Sequence, residues 1–126
     1  MPIGKHVGEF SATSTSVTIS TSTGGDLLQS MNVEGTATGY GTVRGTLTFH
    51  PDAPGVQSGK VTWVGTGYLE NGEMVGGTGS GVFEQSAKQR WRVRVIMRIS
   101  DGTVLLSDGE LLLEGGTYRG SMYKWE

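Results

Sequence analysis

The stretch MNVEGTATGYGTVRGTLTFH, residues 31–50, alternates two kinds of residue over its whole length. Odd positions carry Met31, Val33, Gly35, Ala37, Gly39, Gly41, Val43, Gly45, Leu47 and Phe49. Even positions carry Asn32, Glu34, Thr36, Thr38, Tyr40, Thr42, Arg44, Thr46, Thr48 and His50. A period of two is the mark of a β-strand with unlike faces. The stretch therefore predicts one very long strand, apolar or small on one face and polar on the other.

Two more runs repeat the pattern. In KVTWVGTGYLE (60–70), Val61, Trp63, Gly65, Gly67 and Leu69 oppose Lys60, Thr62, Thr66, Tyr68 and Glu70. In QRWRVRVIMRIS (89–100), Arg90, Arg92, Arg94 and Arg98 alternate with Trp91, Val93, Val95, Met97 and Ile99. Burying Trp63, Trp91, Phe49 and Met97 gains roughly 1.5 to 3 kcal/mol each. Burying unpaired guanidinium groups costs several kcal/mol each. The apolar-and-glycine face therefore points inward and the arginines form an outer ladder. Glu70, Glu73, Glu84, Glu110 and Glu114 sit near strand ends and read as exposed partners for them.

GEFSATSTSVTISTS (8–22) reads as one long or bulged strand, and GGD (24–26) as a turn. PDAPGVQSG breaks the chain after His50. The pairs Asn71-Gly72 and Asp101-Gly102 signal two-residue hairpins. GVFEQSAKQRW reads as two strands with a turn near Ser86, and the internal SDG of TVLLSDGELLLE as a break or a bulge. Successive short connections favour neighbour pairing. The expectation is a single all-β domain over residues 1–126: an antiparallel meander β-barrel of about eight strands, closed so that its edges are hidden.

Composition narrows the chemistry. The 126 residues contain 22 glycines, three prolines and no cysteine. Disulfides and thiolate metal sites are excluded, and two histidines cannot make a histidine-rich metal cluster. No metal and no cofactor is expected. A formal net charge of −2 does not favour nucleic acid as a partner. Trp91 lies opposite the arginines, which separates stacking from charge, although Tyr40 and Tyr68 share the arginine face. The start, MPIGKHVGEFSATS, lacks the apolar run of a signal peptide, and no stretch approaches about 18 apolar residues. A cytoplasmic protein with no membrane partner is the expectation.

GGTGSG (76–81) lacks the Gly-Lys-Ser/Thr and helix context of a phosphate loop. No nucleophile elbow is present. The inward glycines either leave a cavity or relieve crowding in a tight barrel. If they leave a cavity, Phe49, Trp63, Phe83, Trp91 and Met97 are its ligand-binding wall. Glu34, Tyr40 and His50 are the candidate catalytic groups, should a bulge turn them inward.

The segments NVEGTATGYGTVRGTLTF, TWVGTGYLENGE and LLSDGELLLEGGTYRGSMYKW resemble the allene oxide cyclase-like barrels, a group that includes dirigent proteins and spirotetronate cyclases. The resemblance covers about half the chain and rests on architectural motifs. It implies an eight-stranded barrel with a ligand cavity, no cofactor, and assembly as a homodimer or homotrimer. It carries over no catalytic residue. The functional expectation is binding of a small, largely apolar molecule in the lumen, with cofactor-free cyclisation or isomerisation as the associated chemistry. The alternative is a non-catalytic carrier or a structural, oligomerising barrel.

Overall fold

The computed structural model describes residues 4–22 and 24–125. Eight strands follow one another: β1 (Gly4–Thr21), β2 (Leu27–Ala37), β3 (Gly41–Pro51), β4 (Ser58–Tyr68), β5 (Met74–Ala87), β6 (Arg90–Ile99), β7 (Val104–Leu112) and β8 (Thr117–Trp125). Each pairs antiparallel with the next, and β8 pairs back onto β1, which closes a barrel. The only helical turn among the described residues is a short one at Glu114–Gly116. The all-β meander expected from the alternation is the fold.

The stretch 31–50 is two strands, not one. The chain reverses at Thr38–Tyr40, between β2 and β3. Alternation could not reveal this, because Gly35 pairs with Val43 and Val33 with Gly45. Each pair of numbers sums to 78, an even number, so odd residues face inward on both strands. Gly39 thus belongs to the reversal and not to the inner wall, while Gly41 opens β3 opposite Ala37.

The Asn71-Gly72 and Asp101-Gly102 turns are also not the expected two-residue hairpins. The Leu69 amide donates to the Glu73 carbonyl and the Ile99 amide to the Thr103 carbonyl, leaving three residues in each loop. Only the glycine of each pair has positive φ, +90° at Gly72 and +93° at Gly102. That is a three-residue hairpin with glycine in the left-handed position. The Asn71 and Asp101 side chains each accept from the amide two residues on, at 2.9 Å.

The SDG motif neither breaks nor bulges β7. Its register against β6 and β8 is regular, with Ser107 and Gly109 inward and Asp108 outward. β1 is long and bulged, as its sequence suggests, with register shifts at Ser14/Ser16 and His6/Gly8.

The arginines of β6 face out. Arg92 donates from Nε and Nη2 to both oxygens of Asp108, at 3.0 and 2.8 Å. Arg94 meets Glu84 at 2.9 Å and Arg90 meets Glu110 at 3.7 Å. The inner face builds the core: Met31, Val33, Leu47, Phe49, Val61, Trp63, Phe83, Val93, Val95, Leu111 and Tyr118 form one buried cluster. Ile99, Leu105 and Met122 form a second.

Candidate functional site

The topology gives the barrel two unlike ends. The turns at 38–40, 69–73 and 100–103 ring one end, and the connections at 24–26, 52–57, 88–89 and 113–116 ring the other. The second end is closed. Phe49 and Phe83 meet edge to face there, centroids 5.2 Å apart. Trp91 packs against that cluster, and its indole N–H donates to Gln57 Oε1 at 3.0 Å.

The first end holds a half-enclosed cavity of about 80 Å³. Phe10, Val43, Ile99, Leu105 and Met122 line it toward the turns, and Val33, Trp63, Val95 and Met97 line it farther along their strands. Ala37, Tyr40, Gly67 and Val75 are nearer the mouth. Among its hydroxyl residues, Ser107 and Tyr118 reach it from β7 and β8, and Thr36 and Thr66 from β2 and β4. The wall is overwhelmingly apolar, and among the described lining residues there is no carboxylate and no imidazole.

Most inward glycines do not create this space. The indole of Trp63 lies across Gly45 and Gly65, in the volume their side chains would take. Gly109 likewise makes room for the rings of Phe10 and Tyr118, whose centroids are 4.8 Å apart. Gly35 accommodates the backbone of β1 at Ser11. Aromatic rings and neighbouring backbone refill the glycine face. What remains is a slot at one end and not a lumen-long tunnel.

Tyr118 is buried, and burial raises its phenol pKa well above the ordinary 10.0. The nearby Ser107 hydroxyl opposes that shift, and the charge of Asp108 adds to it. Ser107 itself donates to the Val95 carbonyl at 3.4 Å. Tyr40 at the mouth is also raised, chiefly by burial and then by the Asp101 charge. Both phenols therefore stay protonated at neutral pH. They can donate a hydrogen bond to a ligand oxygen, but they do not serve as ready bases.

The residues singled out from sequence fall into three places. Trp63 and Met97 are on the cavity wall and Tyr40 is at its mouth. Phe49, Phe83 and Trp91 lie at the closed end. Glu34 and His50 sit on the outer face. Glu34 lies directly across from Arg44 and pairs with it at 3.2 Å, and His50 opposes Lys60. No bulge in β2 or β3 turns them inward. Sequence reasoning missed Tyr118 and Ser107. The signal was available: in YRGSMY, Tyr118, Gly120 and Met122 alternate with Arg119 and Ser121, and the even set is the apolar one.

Against known proteins, no family model, no curated protein and no solved structure matches this chain.

Proposed function

We propose that the barrel binds a small, largely apolar molecule through its open end, most simply as a carrier or binding module. The observation that carries this reading is the half-enclosed apolar slot between Trp63, Met97 and Tyr118. An apolar pocket with a few convergent polar groups is the usual form of a small-molecule site. The resemblance to allene oxide cyclase-like barrels agrees with it in architecture.

Size limits the ligand. A cavity that holds benzene measures about 150 Å³, and this one is about 80 Å³. The slot takes a narrow aliphatic end, while the rest of the molecule lies across the mouth near Tyr40 and Val75. An oxygen on the inserted end would be met by Tyr118 or Ser107. Proton abstraction from carbon has no base here. Any cyclisation or isomerisation would have to rest on confinement and on hydrogen-bond donation by Tyr118 and Tyr40.

A calorimetric series of straight-chain alcohols tests the reading. Each methylene that enters the slot contributes about 0.8 kcal/mol, or roughly fourfold in affinity. Affinity should climb with chain length and then level off when the slot is full. Val75→Trp should block the mouth and abolish binding, while far-UV circular dichroism still shows a folded barrel. Binding that is unaffected by Val75→Trp, or no binding at any length, rejects the proposal.

A further inference from the structure

Beyond the lumen, one part of the barrel is left without a partner. β8 covers the outer edge of β1 only from Gly4 to Thr13. Residues Ser16–Thr21 pair with β2 on one side and with nothing described on the other. This part of the β1–β2 hairpin projects past the closed end. Its inner-face side chains are half or more exposed: Val17 50%, Ile19 62% and Leu27 53%, with only Val17 beside a core residue, Met31. An open edge usually carries charge, proline or a cover against pairing with another chain. Between Glu9 and Asp26 there is no charged residue and no proline.

The sequence of that edge also specifies its occupant. Residues 14–22 read Ser-Thr-Ser-Val-Thr-Ile-Ser-Thr-Ser. Reversed, they read the same apart from the exchange of Val17 and Ile19. We infer that this edge pairs antiparallel with the same edge of a second copy, about a two-fold axis at Thr18. In that register Thr18 faces Thr18, Val17 faces Ile19, and Ser16 faces Ser20. Opposed residues on antiparallel strands share a face. Val17, Ile19 and Leu27 of both copies thus join into one apolar strip. The bulge beside Thr15 lies outside the central Ser16–Ser20 ladder. The pairing is isologous and uses up both edges, so it closes at two copies and does not propagate. The two barrels lie at opposite ends of the joined hairpins, and both open ends stay free.

Sedimentation of the full chain tests this. The expected mass is twice 13.3 kDa. Val17→Lys combined with Ile19→Lys puts like charges in opposition and should give a monomer. Far-UV circular dichroism should still show a folded barrel, because both positions are exposed, and the melting point should lose the concentration dependence of the dimer. The chain has no native cysteine, so single cysteines report the register. Thr18→Cys should cross-link to itself under mild oxidation, since facing Cα atoms in a ladder lie within about 4.4 to 6.8 Å. Ser16→Cys should not cross-link alone, but should do so when mixed with Ser20→Cys, since both lie inside the unbulged ladder. A monomeric wild-type chain overturns the inference. So does a dimer that survives the two lysines, or cross-linking of Ser16→Cys alone as efficient as that of Thr18→Cys.

Discussion

Trp63 shows how single residues set the size of the site. Its ring occupies the space above Gly45 and Gly65. A methyl group at either position would fall inside the indole. Gly65→Ala should therefore destabilise the fold by about 1 to 3 kcal/mol through overpacking. Denaturant unfolding reads that loss, and an indole forced from its seat should also weaken alcohol binding. Tyr118 makes a second residue-level prediction. Its folded pKa is raised above the unfolded 10.0, so below about pH 10 both states hold the proton and stability is flat. Above that pH the unfolded chain loses the proton first, and stability falls by up to about 1.4 kcal/mol per pH unit. Urea unfolding between pH 9 and 11 should show Tyr118→Phe with the shallower loss. The inner face was legible in the sequence at this scale, since Val33, Leu47, Val61, Trp63 and Val95 are all where alternation puts them. The filling of that face was not. A glycine in a sequence records a missing side chain, but not which ring from a neighbouring strand will use the gap.

The strands were legible where the alternation was unbroken, and the turns were less so. Gly72 and Gly102 occupy the same left-handed place in two matching loops. Replacing Gly102 with Ala should lower stability by about 1 to 2 kcal/mol. Asn-Gly and Asp-Gly announced a reversal correctly, but loop length depends on which amides and carbonyls pair across it. That is fixed by the register of whole strands. The same register hid the turn inside 31–50, because an even pairing sum carries the inner face across without a change of parity. The odd sum between β7 and β8, as in Leu105 opposite Lys124, moves the inner face to even positions, and Tyr118 escaped notice for that reason. On β6 the outer ladder was legible from charge alone. Its ion pairs are half exposed, so Arg92→Ala should cost no more than about 1 kcal/mol even though Arg92 grips both oxygens of Asp108. A double-mutant cycle of Arg92 and Asp108 measures it.

At the scale of the molecule, closure gives the barrel its two different ends. Phe49, Phe83 and Trp91 seal one, while the other keeps a slot that its hairpin turns surround. Composition and alternation alone could not assign large residues to one end, because an aromatic near Phe49 and one near Trp63 look alike in a single sequence. Their positions along the axis emerge only when eight registers are combined. Binding from one end makes the two halves of the barrel respond differently to a ligand. Intermolecular nuclear Overhauser effects between a bound straight-chain alcohol and the protein methyl groups measure that difference most directly. The alcohol's terminal methyl should contact Val33, Val95 and Met97, with its hydroxyl end toward Tyr40 and Val75. Contacts confined to the outer face, or to the closed end around Phe49 and Phe83, would contradict the account.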